Sequence, residues 1–122
     1  MTNAEFREML EGRTATFAIN VFKMLRKLPA DVATRVVAYQ LGKSASSVGA
    51  NYREANRAES REDFAHKLSI ALKDAIESAY WFEVLSGLYE DSTELQILTK
   101  EAGELRSLLQ SIIASVKRAG KN

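Results

Sequence analysis

Few side chains in this 122-residue sequence have the type and spacing that chemistry requires. His66, the only histidine, follows Asp63 by three residues, so on a helix the two share a face. An acid-x-x-His step is one piece of the di-iron pattern of helical bundles, which takes carboxylates from two helices and such a pair from two more. A single pair does not complete that set. His66 therefore reads as an exposed or capping side chain, and no metal site is expected. Asp74 and Glu77 have the spacing of an acid and a base, but the same spacing is common on solvated faces, and Lys73 and Arg61 offer ordinary partners. Ser44, Ser46 and Ser47 have no histidine nearby in sequence and no glycine-rich turn to present a nucleophile. Gly42-Lys43-Ser44 mimics the tail of a phosphate-binding loop without its strand or its first glycine. The absence of cysteine removes disulfides and thiolate chemistry. These residues predict a protein that is not an enzyme and calls for no cofactor.

The stretch that must organise the rest is Tyr39 to Glu54. It holds two glycines and three serines, yet Val37, Leu41, Ala45, Val48, Tyr52 and Ala55 recur at steps of three and four. Beside that stripe runs a polar line: Gln40, Ser44, Ser47, Asn51 and Glu54. A helix-interior glycine costs about 1 kcal/mol against alanine, so packing rather than propensity has to hold this helix. The polar line is either a half-solvated border or a contact hydrogen-bonded to a neighbouring helix or subunit. Arg35, Ser46, Gly49 and Arg53 fall opposite the stripe and are expected to meet water.

Three more helices surround this one. The first is expected from Asn3 to Lys27, with a weak point at Gly12, Thr14 and Thr16 where a short leading helix would join a longer one. Leu28-Pro29 ends it, since the residue before proline is pushed out of the α region. The second runs from the Pro29–Asp31 turn to about Arg57. Ser60 and Asp63 suggest a capping box opening the third helix, Arg61 to Tyr89. Phe64, Leu68, Ala71, Leu72, Ala75, Ala79 and Phe82 form its main stripe. Ile70, Trp81, Val84 and Leu88 lie on the opposite side, with Tyr80 on the flank; a second apolar strip needs a second partner. Asp91, Ser92 and Glu94 cap a fourth helix whose Leu95, Leu98, Ala102, Leu105, Leu109, Ile112 and Val116 make a heptad seam. Gly120 is placed to close it. Short links between the four helices predict an all-α, antiparallel up-down-up-down four-helix bundle, a single domain over residues 1–122.

Charge is near balance but unevenly spread. Residues 1–57 carry nine Lys/Arg against five Asp/Glu, a balance of +4, whereas residues 58–122 carry eight against eleven, a balance of −3. Dedicated nucleic-acid binders show a stronger basic excess. No apolar run approaches the ~20 residues of a membrane span. The N-terminus alternates acids and bases rather than forming a secretory signal. A cytoplasmic protein, with no membrane partner, is the expectation.

On these residues the chain resembles a bacterial family of four-helix-bundle proteins first noticed as reading frames within intervening sequences of large-subunit ribosomal RNA genes. The resemblance covers about Phe17 to Val116. Its carriers are Leu28-Pro29, QL-x-x-SA-x-SV-x-AN over Gln40–Asn51 with Glu54, then Phe64, Lys67-Leu68, Ala71, Glu77, Tyr80 and Trp81. Asp74 departs from the glutamate such a chain would carry. The resemblance implies a ring-shaped homopentamer and a task that is poorly defined, sometimes labelled ribosomal. It also brings in a relative, the accessory protein of diversity-generating retroelements, a basic pentameric barrel that binds nucleic acid and a reverse transcriptase. Two expectations of function follow. One is a non-catalytic oligomeric scaffold, its contacts drawn from Ile70, Trp81, Val84 and Leu88 and from Gln40, Ser44, Ser47, Asn51 and Glu54. The other is a nucleic-acid-binding accessory that meets RNA or DNA phosphates through Arg35, Lys43, Arg53, Arg57 and the bases of the first helix.

Overall fold

The computed structural model describes residues 1–90 and 92–120 and contains four helices: α1 (Asn3–Leu25), α2 (Val32–Ala55), α3 (Arg61–Leu88) and α4 (Thr93–Ala119). Each starts on an oxygen-bearing side chain that accepts from an otherwise unpaired backbone N–H. The Thr2 hydroxyl accepts from Glu5 N at 3.0 Å while the Glu5 carboxylate accepts from Thr2 N, a complete capping box. Asp31 caps α2 by accepting from Thr34 N at 2.8 Å, and Ser92 caps α4 by accepting from Leu95 N at 3.0 Å. Asp91, the other capping candidate there, lies outside the described residues. Ser60 accepts from Asp63 N as expected, but the Asp63 carboxylate reaches the N–H of Glu59 rather than that of Ser60. The box is thus half formed, and Asp63 spends its charge instead on Lys67 at 3.2 Å.

Contacts between helices run in opposite order along each pair. On α1 and α2, Phe22 meets Gly42, Thr14 meets Gly49 and Glu11 meets Asn56. Ser44 meets Ser78 and Asn51 meets Asp74 between α2 and α3. Arg13–Glu101 and Lys27–Glu94 join α1 to α4. The result is the antiparallel bundle expected, with no strand among the described residues. Its centre is a diagonal contact: the Phe17 and Phe82 rings meet edge to face with centroids 6.2 Å apart. Leu10, Leu41, Val48, Leu68, Leu105 and Leu109, all fully buried, belong to the same core and extend it along the bundle. On α4 the seam is buried from Leu95 to Leu109 and half-buried at Ile112 and Val116.

Three expectations change. First, α1 is one unbroken helix, because Thr14 turns its hydroxyl onto its own helix, 2.9 Å from the Leu10 carbonyl and 3.0 Å from that of Glu11, and packs its body against α2. Second, Gly49 is buried rather than solvated. Gly42 and Gly49 stand seven apart on the side of α2 that receives α1, and neither the hydropathy nor the size of glycine reveals that a neighbour is there. Ser46 is half-buried, whereas Arg35 and Arg53 do meet water. Third, Gly120 follows α4 with φ −75°, so it ends the helix without the left-handed turn for which glycine is usually placed.

The two interface glycines should answer substitution differently. A Cβ on Gly49 would sit 2.8 Å from Thr14 Oγ1 and 3.4 Å from the Thr14 backbone, while one on Gly42 would sit 2.9 Å from the rim of the half-exposed Phe22 ring. Alanine gains about 1 kcal/mol of helix propensity at either site. At Gly49 the overpacking cost of ~1–3 kcal/mol outweighs it, since the obstacle is a β-branched side chain anchored to its own backbone. Gly42→Ala should be near neutral because the ring can swing outward. Denaturant unfolding is expected to rank Gly49→Ala well below Gly42→Ala; equal midpoints would refute the close α1–α2 approach.

Candidate interaction faces

The polar line of α2 and the outer residues of α3 converge along one seam. Ser44 is buried inside the protomer, its Oγ 3.0 Å from that of Ser78, and the Ser78 hydroxyl also lies 2.9 Å from the Asp74 carbonyl. Two turns along α2, Asn51 Nδ2 donates to Asp74 Oδ2 at 2.7 Å. Gln40, Ser47 and Asn51 are half-buried and Glu54 is exposed, with Ser47 giving its hydroxyl to the Lys43 carbonyl at 2.6 Å. Both readings of the polar line are therefore realised in part. Ser44 and Asn51 bond across to α3 within the protomer, so Ser44, at 2% exposure, is not the contact for a second copy that was expected, while Gln40, Ser47 and Glu54 remain at the rim of the face. The partner residue that the sequence reading passed over is Ser78. Its signal was present, since it falls between Ala75 and Phe82 at helical spacing on the buried arc.

On α3 the apolar strip divides. Ile70 and Leu88 are exposed, at 38% and 49%, and Tyr80 with them. Trp81 and Val84 are half-buried and pack against the core, so they are not the fully outward pair expected. The buried arc of α3 is wide enough to reach them because Ser78 and Leu85 bring its edge round toward α2. Trp81 stacks edge to face on Tyr80 with centroids 4.9 Å apart. Its indole Nε1 is buried and has no acceptor among the described residues, which leaves a donor unpaid by any hydrogen bond.

Electrostatics on this seam centre on Asp74. Burial pushes its carboxyl above the ordinary aspartate range and Glu77 pushes the same way, while the Asn51 bond, Lys73 and Lys43 oppose. Asp74 is held by the Asn51 amide, and among the described residues no histidine is bonded to it. His66 is exposed. No group of three metal-ligating side chains is present among the described residues. Arg35, Lys43, Arg53 and Arg57 are all exposed and none forms a salt bridge among the described residues. Arg53 alone is tied down, donating to the Glu11 carbonyl at 3.3 Å. From Arg35 to Arg53 the line covers about 27 Å of helix.

Comparison with known proteins places this geometry in context. The family model for the 23S rRNA-intervening sequence protein matches residues 12–111. A crystal structure of a protein of unknown function from the S23 ribosomal protein family of Bacteroides thetaiotaomicron superposes with a TM-score of 0.80 at 34% identity. The match covers 88% of this chain and 97% of that one. No curated protein matches.

The Asp74 carboxyl gives a pH prediction. A carboxyl whose value is raised on folding holds its proton more tightly in the folded state, so its stabilising contribution is present at low pH. That contribution is lost as pH rises from the ordinary aspartate value through the raised one. Asp74→Asn keeps an acceptor for Asn51 and removes the charge. Thermal unfolding of the variant is expected to lie above that of the parent at pH 7, the gap closing below about pH 4. A variant less stable than the parent at pH 7 would mean the charged hydrogen bond outweighs the cost of burial.

Proposed function

Starting from the premise that the chain belongs to the 23S rRNA-intervening sequence protein family, we propose that it is a non-catalytic scaffold that works as a homo-oligomer, a pentamer, through its α2–α3 face. The observation that carries this is the buried indole N–H of Trp81, which has no acceptor among the described residues, on a helix that also exposes Ile70, Tyr80 and Leu88. A buried unpaired donor costs about 1–3 kcal/mol, and an acceptor from a second copy would remove that cost. Half-buried Gln40, Ser47 and Asn51 supply the polar rim beside this apolar patch, and interfaces combine these two elements. The setting we assign is the cytoplasm. Residues 3–25 form α1, with Leu10 in the core, and no described helix is long and apolar enough to cross a membrane.

Light scattering at micromolar concentration is expected to give a multiple of the 13.6 kDa chain mass. Trp81→Ala combined with Ile70→Ser should shift that mass toward the monomer while the helical circular dichroism persists. A clean monomer in the parent protein would overturn the reading.

A second reading rests on a separate observation, a row of exposed cations, Arg35, Lys43 and Arg53 on α2 and Arg57 just beyond its end, none of them in a salt bridge among the described residues. By it the protein is an accessory that meets nucleic-acid phosphates, as the word ribosomal in the relative's family name would suggest. Contacts of this kind position without reading sequence. Neutralising Arg53 and Arg57 together should weaken binding of unrelated RNAs about equally and flatten its salt dependence by about two phosphates. An assembled protein that binds no RNA or DNA at low salt would leave the scaffold reading alone.

A further inference from the structure

The end of the bundle where α1 begins and α4 finishes is not filled. A cavity of about 560 Å³ lies there, within the range of sites that hold small molecules. Its cause is legible in the residues. α1 and α4 touch least of the neighbouring helices, and small side chains, Ala55 and Ala58 from α2 and its link and Ser111 and Ser115 from α4, stand where larger ones would close the gap. The floor is apolar: Phe6, Phe64, Ile112 and Val116, all partly exposed and packed on the core.

One corner of the cavity is polar. Tyr52 is 2% exposed, and burial raises its phenol, Glu11 pushing the same way while Asn56 and Arg7 oppose, so it stays a neutral hydroxyl. The Glu11 carboxylate is already engaged by Asn56 Nδ2 at 2.9 Å. Arg7 is exposed at the mouth, is the sole charged residue lining the cavity, and has no salt bridge among the described residues.

We propose that this cavity is a binding site for a small amphipathic anion, an apolar ring or short acyl body carrying one carboxylate or sulfonate that pairs with Arg7. The apolar floor takes the body, Arg7 offers a two-pronged donor to the acid group, and Asn56 and Ser111 line the same mouth. The site stands apart from the α2–α3 face, so it does not depend on the assembly proposed above.

The test titrates the full-length protein with anilinonaphthalene sulfonate, an anionic apolar probe, and with its neutral counterpart N-phenylnaphthylamine, following fluorescence. One saturable site per chain is expected for both. Ser111→Trp, an exposed position at the cavity wall, should fill the space and abolish both signals without changing mass or circular dichroism. Arg7→Gln should weaken the sulfonate about tenfold, the scale of a hydrogen bond to a charged group, and leave the neutral probe unchanged; Arg7→Lys should restore part of the loss. Sulfonate binding at full strength in Ser111→Trp would place the probe elsewhere and overturn the proposal. Equal loss of both probes in Arg7→Gln would overturn the preference for an anion. A change of assembled mass in Ser111→Trp would mean that a second copy occupies the cavity, and would overturn it too.

Discussion

The contact on which the rest of the bundle depends is the approach of α1 to α2 at Thr14 and Gly49. Thr14 is a polar residue at 1% exposure, yet it asks nothing of α2, because its hydroxyl lies within hydrogen-bond reach of two carbonyls of its own helix. It therefore presents only its carbon face, and Gly49 presents none, so the two backbones come close. That closeness explains how a helix with two glycines and three serines in one stretch survives. The glycines cost ~1 kcal/mol each in propensity. Burying Val37, Leu41, Val48 and Tyr52 on the same helix returns about 1.5–3 kcal/mol apiece, and the small residues are what permit the burial.

The four seams are not equivalent, and the differences follow from which residues line them. Against α1, α2 uses glycine and contact; against α3 it uses hydroxyls and an amide that bond across, Ser44 to Ser78 and Asn51 to Asp74. The α1–α4 seam is held instead by charge. Arg13 grips Glu101 through two nitrogens, at 2.7 and 2.6 Å, and reaches Glu104 at 3.3 Å. A bidentate pair fixes register at one height but fills no volume. Beyond it, toward the start of α1, Phe6, Phe64, Ile112 and Val116 are only partly buried and do not close the bundle end, and that is where the cavity opens.

How much of this was legible depends on whether a residue's own chemistry carried the information. Polar and periodic signals did: Ser60 and Ser92 as caps, the α4 seam to Leu109, Ser44 and Asn51 as seam residues. Signals that belong to the neighbour did not. Gly49 was read as solvated because glycine marks an approach only once the approaching helix is known. The weak point at Gly12 vanished because Thr14 is braced by its own helix, a side-chain orientation that spacing does not reveal. Trp81 and Val84 were set opposite the core on helical angle alone. A ring that large lies along the surface, and the position of its edge depends on how far Ser78 and Leu85 turn the buried arc. Of the candidate site residues, Arg35, Lys43 and Arg53 on α2 and Arg57 beyond it needed only a side of the helix for their exposure to be read. The α3 strip needed an angle to within a few tens of degrees.

Charge weighs between the two functional readings. The sequence sums to +1 per chain, so repeating it around a symmetric assembly accumulates little self-repulsion and equally little attraction for phosphate. An electrostatic clamp on nucleic acid draws its affinity from the number of phosphates neutralised, and three cations on α2 with Arg57 just beyond it are modest by that measure. An interface draws its affinity from desolvating a few aromatic and aliphatic anchors within a polar rim. Trp81, half-buried with its indole N–H unpaired among the described residues, offers the first, and half-buried Gln40, Ser47 and Asn51 on α2 offer the second. The same near-neutrality that weakens the nucleic-acid reading is what lets copies of this chain approach one another, so the balance of argument falls on assembly.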